Sequence, residues 1–326
     1  MAWIGWQEGM EGLPVLAAIG ELRAKFSYGK QLELTQKFTP ELTAAVQTFQ
    51  VKKGGLRTDG VLDYDTQKAL GVLEALKPWV FTVAGTGAFW DAGYPADIAR
   101  AVADLFRWQG VNYPAKPFPM GDSVDAGIAE LLKLLKQRLD RYPAAKFALI
   151  GYSQGAIVTS MVWKRYIKGN EDLEKRIIGS ITFGNPCREL GVANGNVAEG
   201  IPIPEGRGIG DDRLQSTPEW WYDFAHGANS PFGRDIYTDT PDDDTGEMMT
   251  AVYRAVQKLA NLWSGVDSIL EQVGEIIKRP IPEIYAAFRA VIYGGQFVTT
   301  QPWATYPHTN YNIDTAVAFL RRIAKN

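Results

Sequence analysis

Residues 147–166 read FALIGYSQGAIVTSMVWKRY. An apolar run passes through Gly151-Tyr152-Ser153-Gln154-Gly155 directly into a helical pattern, so a strand and a helix must meet at one serine. A serine in that position sits on a sharp, strained turn. Flanking glycines remove side chains that would clash there. The hydroxyl then projects from the carboxyl edge of a sheet, and the following helix aims its free N-terminal N–H groups at the same spot. A chance G-x-S-x-G is expected about 0.1 times in an average chain of this length, so the strand–turn–helix context favours a nucleophile over a bystander.

The surrounding pattern predicts the sheet. PWVFTVAGT (78–86) reads as a buried strand, YPADIARAVADLF (94–106) as an amphipathic helix and VDAGIAELLKLLKQRLDRY (124–142) as a longer one. In the latter, Ile128, Leu131, Leu132, Leu135 and Leu139 share a face. KFALIGYS (146–153) is a strand, GAIVTSMVWKRYI (155–167) a helix and IIGSITFGNP (177–186) a strand. Strictly alternating strands and helices imply an α/β fold, a parallel sheet with helices on both faces and ligands at the carboxyl ends of the strands. Residues 187–245, rich in Gly, Pro, Asp and Asn, read as loops. From about 246 to 293 a helical insertion is expected, with Val252, Val256, Leu259, Trp263, Val266, Leu270, Val273 and Ile277 alternating spacings of four and three. Its apolar seam reads mostly as core, with a few rim residues able to line a groove for alkyl chains.

The first 75 residues follow a different grammar. Thr39 is placed as an N-cap with Pro40 at the first helical position. Leu42, Val46 and Phe49 recur at helical spacing, Gly54-Gly55 stops that helix, Asp59-Gly60 is a turn, and Asp65 starts a second helix ending near Leu70. The stretch AAVQTFQ…GLRTDGVLDYDTQKAL resembles the peptidoglycan-binding domain 1 family. Two domains are therefore expected, a helical one over 1–75 and an α/β one over 76–326, which suits 326 residues.

A serine hydroxyl needs a base, and the chain has two histidines, His226 and His308. In α/β-hydrolases the order is Ser, acid, His. His308 lies in a polar loop before the last amphipathic helix and leaves room for an acid upstream, so it is preferred. His226 reads better as a structural histidine. The first choice of acid is Asp235, with Asp239 second. Asp242, Asp243 and Asp244 read as a solvated run or the approach to a helix, and Asp223 is a candidate if His226 is the base. The Gln154 amide supplies one oxyanion donor. The Thr86 amide, in the loop after the first strand of this domain, supplies the other.

Several classes are disfavoured. A net charge of -3 gives no pull toward nucleic acid. Gly85-Thr86-Gly87 does not extend to a dinucleotide fingerprint because residue 90 is Trp. No paired-cysteine or H-E-x-x-H pattern calls for a metal, and no cofactor is expected. The single cysteine, Cys187, excludes an intrachain disulfide. No apolar run reaches the ~20 residues of a membrane span. The N-terminus lacks the basic and apolar regions of a signal peptide.

GYSQG at 151–155, GNPCRE at 184–189, DFAHGANSPFGRDIYTD at 223–239, the helical insertion and HTNY at 308–311 together resemble the lysin B family of mycobacteriophage esterases, relatives of cutinases. The resemblance implies an α/β-hydrolase that cleaves the ester joining mycolic acids to arabinogalactan, with Ser153 as nucleophile, Asp235 as acid and His308 as base. The family pattern at the acid is Gly-Asp-aliphatic-Tyr, whereas Arg234 is interposed here, which leaves Asp235 and its neighbours open. The resemblance also implies synthesis in the infected host's cytoplasm, action at the host envelope after release, and contact with peptidoglycan through residues 1–75.

Overall fold

The structure, a computed structural model, describes residues 4–117, 119–257 and 307–324. The chain divides into two units. One comprises Met1–Trp79 with Leu134–Lys146, and the other comprises Val80–Lys133 with Phe147 onward.

The first unit holds α1 (Leu13–Lys25), α2 (Pro40–Lys53), α3 (Tyr64–Leu70) and α4 (Val72–Ala75). Thr39 caps α2, its hydroxyl accepting from the Leu42 amide at 3.3 Å, and Leu42, Val46 and Phe49 are buried. The cap of α3 is Asp63, two residues ahead of the Asp65 start read from sequence. Gln50, fully buried, ties α2 to the following turn. Its side chain accepts from the Gly60 amide (2.9 Å) and donates to the Val61 carbonyl (2.7 Å) and the Thr66 hydroxyl (3.0 Å). Helix α1 carries no periodic signal because Val15 and Ala17–Leu22 are all buried, leaving no polar stripe. Within it, the buried Glu21 pairs with Lys25 at 2.5 Å and accepts from the Tyr142 hydroxyl.

The second unit is a five-stranded sheet. Its strands are β1 (Trp79–Val83), β2 (Arg107–Gly110), β3 (Phe147–Tyr152), β4 (Ile177–Phe183) and β5 (Trp221–Phe224), in the order β2-β1-β3-β4-β5. Strand β4 runs parallel to both neighbours, with Tyr152 opposite Phe183 and Phe183 opposite Phe224, so three carboxyl ends come level. The same unit holds α5 (Tyr94–Ala101), the part of α6 (Met120–Arg141) that precedes Leu134, α7 (Gln154–Val162), α8 (Glu171–Glu174), α9 (Asn194–Glu199), α10 (Asp244–Gln257) and α11 (Asp314–Ile323). Alternation along the strands sends Val80, Ala148, Ile150, Ile181 and Phe183 into one core with Ile98 of α5 and Phe319 and Leu320 of α11. On the opposite pleat, Phe81 and Phe147 meet edge to face at 5.6 Å.

Two strands are absent from the sequence reading. β2 has four residues and follows directly on the stretch read as a helix over 94–106, which itself stops at Ala101. β5 also has four residues and lies within the presumed loops of 187–245, as does α9. Strands this short carry too few residues to show a period. Of the helical insertion, α10 is described, with Met249, Val252 and Tyr253 buried, while its remainder beyond Gln257 lies outside the described residues. Among the described residues, no helix is long and apolar enough to cross a membrane.

Candidate active site

Ser153 stands between β3 and α7 with φ 54° and ψ -117°, a left-handed backbone that non-glycine residues rarely adopt. Its amide donates to the Phe183 carbonyl at 2.9 Å, pinning the turn to the neighbouring strand. Gly155 is required for a steric reason: a Cβ there would stand 2.1 Å from the Val83 carbonyl oxygen and 2.5 Å from that of Ala84. The elbow can pass beneath β1 only without a side chain.

Around the serine three side chains form a chain of hydrogen bonds. The Ser153 hydroxyl lies 2.9 Å from His308 Nε2. His308 Nδ1 lies 2.8 Å from Asp235 Oδ2. The same carboxylate oxygen accepts from the Tyr311 hydroxyl (2.9 Å), and Oδ1 accepts from the Tyr237 amide (3.0 Å). Asp235 is 3 % exposed. Burial alone would raise its pKa, but the His308 charge and the hydrogen bonds from His308, Tyr311 and Tyr237 outweigh it and hold the carboxyl below its usual range.

The imidazole is held from several sides. The Tyr152 ring stacks at 5.6 Å, and the Tyr237 ring lies at 4.4 Å. The Tyr152 hydroxyl donates to the His308 carbonyl at 2.8 Å, and the Tyr94 hydroxyl donates to that of Thr309. Sequence reading missed these tyrosines, along with Gly184 against the imidazole edge. Tyr311 falls within the HTNY stretch, but only the fold turns its hydroxyl onto Asp235.

The other candidates lie elsewhere. His226 is buried, with Nε2 2.7 Å from the Asn310 carbonyl, Nδ1 2.9 Å from the Ser230 hydroxyl, and its ring stacked on Tyr311 at 4.5 Å. Burial pushes its pKa down, so it is a neutral prop under the segment that carries His308. Asp239 accepts from the Gly206 amide at 2.6 Å and pairs with Arg234 at 3.0 Å, which also accounts for the interposed arginine. Asp242 pairs with the buried Arg207 at 2.7 Å, Asp243 accepts from the Gly246 amide at the start of α10, and Asp244 is that helix's first residue. Asp223 is fully buried and accepts from the Thr182 hydroxyl and the Asn185 side-chain amide. Burial pushes its carboxyl up and likewise pushes the Cys187 thiol up to about 12, leaving it an inert core residue.

Gln154 is the first residue of α7, so its amide has no acceptor within the helix. Its buried side chain bridges loops, donating to the Lys116 carbonyl (2.8 Å) and to the Thr86 hydroxyl (3.4 Å) and accepting from Ser123 (3.0 Å). Thr86 is thereby tied to the helix that begins at the elbow. Among the described residues, no cluster of His, Cys, Asp or Glu suits a metal ion.

Serine carboxylic ester hydrolases with a cutinase-like fold are built on this plan, and the chain is one of them. The cutinase family profile matches residues 95–207, and that of the putative peptidoglycan binding domain matches residues 22–70. Endolysin B of Mycobacterium phage D29 is 38 % identical over 259 residues, 76 % of this chain and 99 % of the relative. Endolysin B of Mycobacterium phage L5 is 39 % identical over the same extent. The crystal structure of lysin B from mycobacteriophage D29 superimposes with a TM-score of 0.62, covering 75 % of this chain and 99 % of that one. The chain belongs to the endolysin B family and is a lipolytic esterase with a peptidoglycan-binding-type domain near its N-terminus.

Proposed function

We propose that the esterase releases mycolic acids from arabinogalactan in the mycobacterial envelope, through Ser153 as nucleophile, His308 as general base and Asp235 as the acid that orients it. The observation that carries the assignment is the hydrogen-bonded series Ser153–His308–Asp235 at 2.9 and 2.8 Å. The chemistry follows from the geometry. Ser153 Oγ attacks the ester carbonyl as its proton passes to His308 Nε2, and Asp235 stabilises the imidazolium through Nδ1–H. Negative charge collects on the former carbonyl oxygen, where the amides of Gln154 and Thr86 are the proposed donors. The proton on Nε2 then leaves with the sugar alkoxide as an alcohol. Water, deprotonated by the same nitrogen, attacks the acyl-serine and frees the carboxylic acid, restoring the hydroxyl.

The endolysin B relatives support a phage lytic role, and the profile match over 22–70 supports wall attachment. In this reading residues 1–75 form the wall-binding module and 76–326 the esterase. The enzyme is made in the host cytoplasm and acts at the envelope once released. Two measurements test the proposal. A chromogenic butyrate ester is hydrolysed by the wild type and left intact by Ser153→Ala, and purified mycolyl-arabinogalactan yields free mycolic acids. Full turnover by Ser153→Ala refutes the nucleophile. Butyrate hydrolysis without mycolate release leaves a general cutinase-like esterase instead.

A further inference from the structure

His308 sits on a single 3-10 turn, Pro307–Thr309. So short a turn makes too few internal bonds to fix its own carbonyls. Three successive carbonyls of this segment are instead met by side chains from three other parts of the same unit. The Tyr152 hydroxyl, at the end of β3, donates to that of His308 at 2.8 Å. The Tyr94 hydroxyl, at the start of α5, donates to that of Thr309. His226 Nε2, after β5, lies 2.7 Å from that of Asn310. Tyr94 is bound twice, because its hydroxyl also accepts from the Tyr311 amide at 3.1 Å. A hydroxyl offers one donor and two acceptor sites, so both bonds form at once.

This bridge reaches both side chains that bind the acid. His308 immediately precedes Thr309, and Tyr311 carries the second donor to Asp235. His308 Nδ1 and the Tyr311 hydroxyl meet the same oxygen, Asp235 Oδ2, at 2.8 and 2.9 Å. Holding residues 309 and 311 from one external atom fixes the spacing between those two groups. The phenol is itself held firmly. Tyr94 is the first residue of α5, and Pro95 fixes the backbone that follows it. Its ring meets Tyr152 edge-on at 5.2 Å and Tyr311 edge-on at 5.9 Å, with Phe183 at 5.6 Å. Burial pushes its pKa up, so the proton it donates stays in place.

We propose that Tyr94 is a positioning residue of the catalytic base: its hydroxyl bridges the Thr309 carbonyl and the Tyr311 amide, and so seats the His308 imidazole and the Tyr311 hydroxyl together on Asp235. Tyr94 touches no reacting atom and acts only through that segment. The inference rests on the roles proposed above for Ser153, His308 and Asp235. Tyr94→Phe isolates the effect, because it keeps the ring and its three aromatic contacts and removes only the bridging oxygen.

The test measures kcat and KM of the full chain on a soluble butyrate ester, with a thermal melt of each variant. For Tyr94→Phe we expect kcat about tenfold lower, KM within about twofold and a cooperative melt. The loss is smaller than the ~100-fold of a 1 Å misplacement because Tyr152 and His226 still hold the flanking carbonyls. Tyr142→Phe is the control. It removes a buried hydroxyl bound to Glu21 in the first unit, and its kcat should match wild type. A double variant with Tyr311→Phe shows whether the two residues act together. Its loss in kcat should be smaller than the product of the two single losses. A Tyr94→Phe kcat within about twofold of wild type overturns the proposal. So does an equal fall in Tyr142→Phe, a change confined to KM, or fully multiplicative losses in the double variant. Loss of the cooperative melt in Tyr94→Phe overturns it too, since the hydroxyl then serves folding and not the base. Ser153→Ala reads the triad separately. If that variant is inactive while Tyr94→Phe keeps full kcat, only the role of Tyr94 falls; if Ser153→Ala keeps turnover, the triad falls first.

Discussion

Gly184 follows β4 with φ +57°, and a Cβ built on it would lie 2.6 Å from His308 Cε1 and 2.9 Å from Nδ1. Carbon atoms in contact settle at about 3.5–4.0 Å, so Gly184→Ala must move the imidazole, or the strand end beneath it, by about 1 Å. The ring cannot retreat freely, because Tyr152 and Tyr237 flank it and the Tyr152 hydroxyl holds its carbonyl. A shift of that size breaks the 2.9 Å contact with Ser153 Oγ or the 2.8 Å contact with Asp235. Misplacement by about 1 Å costs on the order of 100-fold in rate. The left-handed backbone adds about 1–2 kcal/mol of destabilisation for alanine, which a folded protein tolerates. The assay is kcat and KM on a soluble butyrate ester, with a thermal melt alongside. We expect kcat to fall about 100-fold with KM little changed and a cooperative melt retained. A kcat within about threefold of wild type would show that the imidazole is not seated against the β4 end and would refute the reasoning.

The two neighbouring acids are separable. Asp235→Asn is expected to lower kcat by about 10³–10⁴ through loss of the imidazole's orienting charge, whereas Asp239→Asn, whose partners are Gly206 and Arg234, keeps kcat within about threefold; the reverse ranking would reassign the acid. Tyr311→Phe removes a donor that favours the ionised Asp235, so the acid limb of kcat/KM moves to higher pH while the alkaline limb stays put. Burial depresses the His226 pKa below its unfolded value. Its contribution is therefore complete above about pH 6.5 and lost as pH falls through its lower folded value, and denaturant titrations should show a shallower acid decline for His226→Gln than for wild type. Gln50→Leu leaves the Gly60 amide and Val61 carbonyl unpaired in the first unit and should cost about 2–4 kcal/mol, read by chemical denaturation.

How much of this was legible in the sequence depends on the range of the interactions involved. The elbow announces itself because strand, turn, flanking glycines and helix are contiguous, and each imposes a local backbone demand that residues 147–166 meet. The same holds for α2, where Thr39 and Pro40 mark the start and Gly54 the end. Chain order narrowed the proposed base to His308 and the proposed acid to a short stretch around Asp235. No local pattern distinguishes Asp235 from Asp239, four residues apart. That choice is made by the turn that sends one carboxylate to the imidazole and the other to the Gly206 amide. Tyr152, Gly184, Tyr237 and Tyr311 converge on His308 and Asp235 from separate points of the chain, and β2 and β5 exist because a larger sheet recruits them. Short-range propensity thus determined which segments become strands, helices and an elbow. Long-range packing alone decided which distant side chains share a site, because such contacts carry no periodic trace along the chain.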